Sequence, residues 1–214
     1  MSSASKNSTA VFFPMLLKLT GRKCLVVGAG TIAAGKIESL LRCEADLTVI
    51  APCADDAIQE LARTGRLAWQ RREFSAEDVQ GMLLAIAATN SGETNAAVFR
   101  ACTEQGVLCN SVDDPEHCDF IYPAVVRRGP LQIAISTGGR SPALASRLRR
   151  ELEEQFGPEW GAWIEELGRQ RDALADEALS PANRRARIEQ MTSREAFAEF
   201  LRRYRAAHEN HEHR

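Results

Sequence analysis

The sequence has 214 residues, of which 44% are apolar and 26% are charged, with a formal net charge of −2. This composition is typical of a globular protein of one or two domains and excludes a chain that is disordered throughout. It also argues against a nucleic-acid-binding protein, because the net charge provides no overall attraction for phosphates.

The N-terminal apolar run, residues 10–17, is short, contains Pro14 and leads into Lys18 without a small-residue cleavage site. It is therefore not typical of a secretory signal, and no other run approaches the roughly 20 apolar residues that span a bilayer. The six cysteines include no C-x-x-C pair, which favours reduced packing thiols over disulfides or a metal site. We predict a cytoplasmic protein with no membrane or nucleic-acid partner, no protein-bound metal and a disordered tail at residues 1–9.

Up to residue 114, short apolar runs alternate with amphipathic stretches. The runs predict strands at 24–27, 47–50, 67–70, 82–88 and 107–112, and the stretches predict helices at 31–42, 57–62 and 94–105. Ser75, with Asp78 three residues later, predicts the cap of a short helical turn. Strands that alternate with helices form parallel sheets through right-handed crossovers. We therefore predict an α/β fold, a Rossmann-type doubly wound parallel sheet, for a domain spanning residues 1–114.

The pattern changes after residue 114. Apolar runs at 120–126 and 131–136 predict two antiparallel strands around a turn at 127–130. Ser141 followed by Pro142 predicts the start of a helix, and helices are expected from there to the end of the chain. We predict a small β-containing region at 115–150 and a helical C-terminal domain at 151–214.

The motif G-A-G-T-I-A at residues 28–33 stands between the first predicted strand and the first predicted helix. Gly28 permits a tight turn, Gly30 lets a pyrophosphate approach the backbone, and Ala33 lets the helix pack closely on the sheet. The motif predicts a dinucleotide site at a helix N-terminus, and a packing turn that binds nothing is the alternative. After the second strand there is no carboxylate before Asp55 and no arginine, so the residues leave the choice between NAD and NADP open.

Two charged segments follow the predicted sheet. Asp113 and Asp114 come directly after its last strand, where ligands of such sheets lie. Adjacent carboxylates suit a proton acceptor, but a turn whose side chains cap the backbone is equally compatible. Residues 120–150 contain six arginines and no acidic residue, which predicts a site for a polyanionic small molecule. For the arginines at 147–150, a solvated helix face paired with glutamates is the alternative.

Several motifs occur in a specific order between residues 12 and 155. They are G-A-G-T-I-A-A-G-K at 28–36, A-I-A-A-T-N at 85–90, N-S-V-D at 110–113, F-I-Y-P at 120–123, L-Q-I-A-I-S-T-G-G-R-S-P at 131–142 and R-L-R-R at 147–150. In this order the motifs resemble the siroheme-synthase dehydrogenase–chelatase family.

The resemblance implies an enzyme that oxidises precorrin-2, a tetrapyrrole, to sirohydrochlorin with NAD+. Some members also insert Fe2+ or Co2+ into the product. The resemblance further implies an intertwined homodimer, with a dimerisation and substrate region at 115–150. A dehydrogenase without chelatase activity remains an alternative, and so does a Rossmann module that binds NAD(H) as a sensor.

The resemblance implies that the catalytic residue is Asp113 and not Asp114. The cofactor-binding residues expected from the glycine motif and the resemblance are Gly28, Gly30, Thr31, Ile32, Ala33, Pro52, Cys53 and Thr89. The expected substrate-binding residues are Asn110, Arg127, Arg128, Ser136, Thr137 and Arg140. Thr137 occupies the position of a regulatory serine in fused members of the family.

Overall fold

The computed structural model describes residues 11–175 and 177–209, so the predicted tail at 1–9 lies outside the described residues. The chain divides into two compact units, the first ending at Tyr122 and the second beginning at Pro123. Within the described part of the chain, no helix combines the length and the apolar character needed to cross a membrane.

The first unit is built on five strands. They are β1 (Lys23–Val27), β2 (Asp46–Ile50), β3 (Ala68–Gln70), β4 (Leu84–Ala87) and β5 (Leu108–Ser111). Its helices are α1 (Thr31–Arg42), α2 (Asp56–Arg63) and α3 (Gly92–Gln105), with 3-10 turns at Ala76–Val79 and Pro115–His117. All pairings are parallel and the strand order is β3-β2-β1-β4-β5. The predicted Rossmann-type sheet is therefore confirmed, and its winding reverses between β1 and β4, where ligands of such sheets bind.

Helices cover both faces of this sheet. Consecutive residues of a strand point to opposite faces, and in β1 Val26 packs in one buried cluster with Ile37 of α1. Leu25 packs in the other buried cluster with Ala87 and with Val98 of α3. Because both faces are buried, the central strands are continuous apolar runs, as expected for a parallel sheet.

The segment after β5 differs from its prediction. Between the end of β5 and Ala124 no further strand begins, so the first half of the strand predicted at 120–126 is wrong. Asn110 Nδ2 donates to the carbonyl oxygen of Phe120 at 2.8 Å, and an isolated bridge joins Asn110 to Cys118. These bonds return the chain to the end of β5, and residues 115–122 accordingly belong to the first unit.

The second unit consists of a hairpin and four helices. Its elements are β6 (Ala124–Arg128), β7 (Leu131–Ile135), α4 (Pro142–Gln155), α5 (Glu159–Ala175), α6 (Pro181–Met191) and α7 (Arg194–Glu209). The hairpin is antiparallel, as predicted, but its turn is shorter because Arg127 and Arg128 lie within β6. Ser141 Oγ accepts a hydrogen bond from Leu144 N at 3.3 Å, which confirms the predicted cap of α4.

Candidate cofactor site

The turn after β1 leaves no room for a side chain. Gly28 has a φ of +106°, and a Cβ at this position would lie 2.3 Å from the carbonyl oxygen of Ala88. The Gly28 amide donates to the carbonyl oxygen of Ile50 at 2.9 Å. The turn therefore contacts the chain just after β4 and at the end of β2. It is the tight turn that the motif predicts.

Helix α1 begins without a side-chain cap. Its N-cap residue, Gly30, is extended, with φ −94° and ψ −173°, and no side chain at this position bonds the first turn. No atom lies within 4 Å of the place that a Cβ of Gly30 would occupy. The N–H groups of a first helical turn need external acceptors, and a pyrophosphate is such an acceptor. The residues present therefore fit a dinucleotide.

A cleft of about 1060 Å³ opens where β1, β2 and β4 end. Seven of the eight residues expected to bind the cofactor line it: Gly28, Gly30, Thr31, Ile32, Pro52, Cys53 and Thr89. Ala33 is fully buried and packs in the core between α1 and the sheet. Its inclusion among the contact residues is therefore corrected: Ala33 shapes the cleft through helix packing.

Thr89 is held by a residue that the sequence analysis missed. Asn95, from the first turn of α3, is 8% exposed. Its Oδ1 accepts from Thr89 Oγ1 at 2.7 Å and from Thr89 N at 3.2 Å, while its Nδ2 donates to Thr89 O at 3.1 Å. A buried amide with these partners fixes the wall of the cleft after β4. The sequence contains a signal for this position. Asn95 stands three and seven residues before the apolar Val98 and Cys102, a helical spacing that places it on the buried face of α3.

The sheet also brings two arginines to the end of β2. Arg71 Nε donates to the carbonyl oxygen of Pro52 at 3.3 Å, and Arg72 lines the cleft. Burial alone would raise the pKa of Asp78, but hydrogen bonds from Arg72 and from Ser75 N lower the pKa of this carboxyl below its usual value. The sequence has no arginine directly after β2, and the neighbouring strand β3 supplies these two.

The two consecutive aspartates occupy different environments. Asp113 is exposed, lines the cleft and has a φ of +61°, a left-handed conformation that is uncommon for a residue other than glycine. Asp114 Oδ2 lies 2.5 Å from Nδ1 of His117, and its carbonyl oxygen accepts a hydrogen bond from the thiol of Cys118. The sequence left open a proton acceptor or a turn whose side chains cap the backbone. Asp114 matches the turn residue, and Asp113 has the exposed carboxylate that a proton acceptor needs.

Asn110, expected to bind substrate, is buried at the end of β5. In addition to Phe120 O, its Nδ2 donates to Cys118 Sγ at 3.3 Å. The backbone N–H of Cys109 donates to the carboxylate of Asp119 at 2.8 Å. Asn110 therefore uses its amide N–H groups to shape the loop that carries Asp113.

In the second unit, Arg128 has structural partners. Its guanidinium donates to the carbonyl oxygens of Phe156 at 2.7 Å and Glu153 at 2.9 Å, which satisfies the end of α4. Arg128 therefore packs β6 on α4, and its role in substrate binding stays a prediction. Arg127 is exposed on β6 and stays a predicted substrate contact.

Two arginines of α4 pair with glutamates four residues later. Arg147 pairs with Glu151 at 3.2 Å and Arg149 pairs with Glu153 at 2.5 Å, so the predicted pairing with glutamates is confirmed for these two. Arg147 is exposed, as a solvated helix face requires, whereas Arg149 is half-buried.

The remaining residues expected to bind substrate form the turn from β7 to α4. Ser136 Oγ accepts from Gly138 N at 3.1 Å, and Thr137 Oγ1 accepts from Ser141 N at 3.0 Å. The carbonyl oxygen of Thr137 accepts from Arg140 N at 3.1 Å. These bonds shape the turn, and a role in substrate binding stays a prediction.

Comparison with known proteins identifies relatives of both units. Residues 15–124 match a family model described as "Putative NAD(P)-binding", and residues 128–155 match one described as "Sirohaem biosynthesis protein central". The siroheme synthase of Nitrosococcus oceani is 41% identical over 150 residues, which are 70% of this chain and 32% of the relative. The siroheme synthase of Neisseria meningitidis serogroup C is 39% identical over 174 residues, 81% of this chain and 36% of the relative. The chain thus spans about a third of the length of these curated relatives.

A solved structure described as SirC, precorrin-2 dehydrogenase, matches with a TM-score of 0.77 and 28% identity, covering 90% of this chain and 98% of that chain. Together with the siroheme synthases, it confirms the resemblance derived from the motifs. The first family model covers 110 of the 214 residues. The chain therefore belongs to the NAD(P)-binding family that this model describes, and its relatives are siroheme synthases.

Proposed function

We propose that this chain oxidises precorrin-2 to sirohydrochlorin, with NAD+ as the hydride acceptor, in siroheme biosynthesis. The observation that carries the proposal is the exposed carboxylate of Asp113, which lines the same cleft as the glycine turn. The descriptions of the SirC structure and of the siroheme synthases support this choice of substrate.

The residues of the cleft have distinct roles in this proposal. The uncapped first turn of α1, with Gly30, Thr31 and Ile32, holds the pyrophosphate. Pro52 and Cys53, which follow β2, line the adenosine portion. When bound, NAD+ supplies the hydride acceptor, and the protein positions it next to the substrate.

Oxidation of precorrin-2 removes two hydrogens, one as a hydride and one as a proton. A base must therefore accept a proton while the hydride leaves. Asp113 is suited to this role because its carboxylate is exposed, whereas that of Asp114 is engaged with His117. When bound, NAD+ would take the hydride, and the Asp113 carboxyl would hold the proton until solvent removes it.

The test compares Asp113→Asn with Asp114→Asn in an anaerobic optical assay with precorrin-2 and NAD+. Asp113→Asn should lower kcat by at least about 10²-fold, the usual size of general-base catalysis. The Kd for NAD+, measured by calorimetry, should not change. Asp114→Asn should retain kcat within a few-fold, since its partner is a turn histidine. If Asp113→Asn turns over as fast as its neighbour's variant, the base is another residue.

Metal insertion into sirohydrochlorin is a second candidate activity, with Fe2+ or Co2+ as substrate. The exposed carboxylate of Asp113 favours it, because insertion of a divalent metal displaces two pyrrole protons that need a base. Metal is added to the completed oxidation reaction, and the rate is compared with a control without protein. A faster rate supports a bifunctional enzyme, and an equal rate indicates a dehydrogenase alone.

The same assay tests the NAD(H)-sensing alternative. If NAD+ binds and precorrin-2 is not oxidised, the sensing module is favoured. The homodimer and the cytoplasmic location stay predictions.

A further inference from the structure

Thr89 follows β4 on the wall of the cleft, and its hydroxyl group is engaged by its own turn. Its Oγ1 lies 2.7 Å from Asn95 Oδ1 and 3.0 Å from Ser91 O, two atoms that can only accept a hydrogen bond. It also accepts a hydrogen bond from Ser91 N at 3.1 Å. A threonine hydroxyl has one proton and two lone pairs. Because the turn uses the proton and one lone pair, a single lone pair is left for a ligand.

The Asn95 amide is oriented by the main chain of Thr89. Thr89 N, which can only donate, lies 3.2 Å from Asn95 Oδ1, and Thr89 O, which can only accept, lies 3.1 Å from Asn95 Nδ2. The atom that faces the Thr89 hydroxyl is therefore the amide oxygen. At 2.7 Å this contact has the usual length of an O–H···O hydrogen bond, and it is shorter than the contact with Ser91 O. The hydroxyl proton therefore points to Asn95.

The strand order relates Thr89 to the nicotinamide half of a bound dinucleotide. In the proposed function, the pyrophosphate lies at the first turn of α1 and the adenosine portion at the end of β2. β4 pairs with the edge of β1 opposite to β2, so Thr89 lies on the far side of the pyrophosphate from the adenosine. The nicotinamide half offers hydrogen-bond donors there, as carboxamide N–H groups and ribose O–H groups. An acceptor at Thr89 matches either of them.

We propose that Asn95 is a positioning residue that holds the Thr89 hydroxyl as an acceptor for an N–H or O–H group of the nicotinamide half. The proposal rests on the dinucleotide binding of the function proposed above. Asn95 also borders the cleft, but its Oδ1 and Nδ2 are both bonded to Thr89, so its effect passes through that residue. Three hydrogen bonds from one buried side chain fix Thr89 before the cofactor binds, which reduces the conformational entropy lost on binding.

The first experiment locates the proton. A neutron crystal structure of the deuterated protein with NAD+ bound shows the deuterium on Thr89 Oγ1. We expect it between Oγ1 and Asn95 Oδ1, with a deuterium of the cofactor directed at Oγ1. The group that carries this second deuterium, carboxamide or ribose, identifies the donor. A Thr89 deuterium directed at the cofactor would overturn the proposal.

The second experiment measures the contact by calorimetric titration with NAD+. Thr89→Val keeps the size of the side chain and removes the hydroxyl, and it should raise the Kd about fivefold, the usual effect of one neutral hydrogen bond. Thr89→Ser, which keeps the hydroxyl, should recover most of the affinity. The matched control is Thr103→Val, because Thr103 is exposed in the same helix as Asn95, bonds only to Phe99 O among the contacts described, and is not among the described residues that line the cleft. It should match the parent protein, and a parent-like Kd in Thr89→Val as well would contradict the proposal.

A double-variant cycle tests whether Asn95 acts through the hydroxyl. Asn95→Ala should raise the Kd for NAD+ to a similar extent as Thr89→Val. The double variant should then bind NAD+ no more weakly than Thr89→Val alone, within about twofold. A purely structural role would weaken binding in both backgrounds, so additive losses would exclude the positioning role.

An analogue of NAD+ identifies the donor in solution. The compound with 3-acetylpyridine in place of nicotinamide has no carboxamide N–H. If Thr89→Val and the parent bind it equally, the donor is the carboxamide. If Thr89→Val still binds it about fivefold more weakly, the donor is a ribose hydroxyl.

The outcomes separate this proposal from the proposed function. If the affinities follow the cycle and precorrin-2 is not oxidised, the role of Asn95 stands and the dehydrogenase assignment fails. If precorrin-2 is oxidised and Thr89→Val binds NAD+ as tightly as the parent, the reverse holds. Thermal unfolding of each variant is recorded. If Asn95→Ala does not fold, Asn95→Asp, which keeps an acceptor for Thr89, should lose less affinity than Thr89→Val, and an equal or larger loss would overturn the proposal.

Discussion

Replacing Gly28 with alanine tests whether the turn after β1 excludes a side chain. The new Cβ would lie 2.3 Å from Ala88 O and 2.7 Å from Ala88 C, at a φ of +106°. A non-glycine residue in such a conformation costs about 1–3 kcal/mol, and displacing the main chain that it meets adds about 1–3 kcal/mol. We expect the free energy of unfolding to fall by about 2–6 kcal/mol, a large share of the roughly 5–15 kcal/mol typical of a folded protein.

Gly30→Ala is the matched control for this change. Its φ of −94° is open to any residue and nothing lies within 4 Å of the added methyl. The free energy of unfolding should therefore change by less than about 1 kcal/mol. The methyl would stand where a pyrophosphate approaches the backbone. The Kd for NAD+ should rise at least about tenfold, which corresponds to about 1.4 kcal/mol.

Urea unfolding followed by circular dichroism measures the first quantity, and calorimetric titration with NAD+ measures the second. For a chain of this size, each kcal/mol corresponds to roughly 2–4 °C in Tm, so Gly28→Ala should also be evident in thermal melts. A Gly28→Ala protein that unfolds at the parent midpoint would refute the steric argument. Unchanged NAD+ affinity in Gly30→Ala would indicate that the pyrophosphate does not bind at the first turn of α1.

Three further predictions concern stability and are read from urea or pH titrations. Gly161→Ala places a Cβ 2.9 Å from the carbonyl group of Arg128 and should destabilise by about 1–3 kcal/mol. Gly168 lies in the same helix, and no atom lies within 4 Å of the place of its Cβ, so Gly168→Ala should be neutral or stabilising by up to about 1 kcal/mol. Equal losses of stability in the two variants would contradict the packing argument. Arg128→Ala removes two hydrogen bonds to the end of α4 and should lower the free energy of unfolding by about 1–3 kcal/mol. Arg127 is exposed, so Arg127→Ala should change it by no more than about 0.5 kcal/mol. A larger loss in Arg127→Ala than in Arg128→Ala would exclude the capping role of Arg128. The pKa of Asp78 is lowered in the folded state, so its contribution to stability is present above its unfolded pKa and is lost as pH falls through its folded pKa. Asp78→Asn should therefore flatten the decline of stability in acid, and an unchanged slope would argue against the arginine pairing.

The sheet and its turn were predictable because their signals are local and repeated. Apolar runs of strand length alternate with helical periodicity, and the glycine motif stands at the first strand–helix junction. Gly28 could be assigned from its position alone, since a tight turn between β1 and α1 requires a positive φ. The ends of the strands were predicted less accurately. Apolar residues continue for a residue or two beyond the last hydrogen bond between neighbouring strands, so an apolar run is longer than the strand it marks.

The roles of several polar residues depended on contacts that no local pattern encodes. Arg128 is one of six arginines in an acid-free segment, and only the packing of β6 on α4 shows that it satisfies helix carbonyls. Arg72 follows β3 in sequence, and the strand order places it near the end of β2. Asn110 bonds to residues eight and ten positions later, and this reach depends on a loop conformation with no sequence signature.

The order of the strands has a consequence for how the first unit matures. β1 pairs with β2, its neighbour along the chain, and with β4, which is synthesised only after β2, β3 and two helices. The wall that Gly28 meets at Ala88 is therefore a long-range contact, of the kind that forms late and slowly. A nascent chain shorter than about 90 residues would carry the whole glycine motif and still lack a cleft. Dinucleotide capture would thus report completed folding of this unit, and the cofactor would stabilise the mature form by mass action.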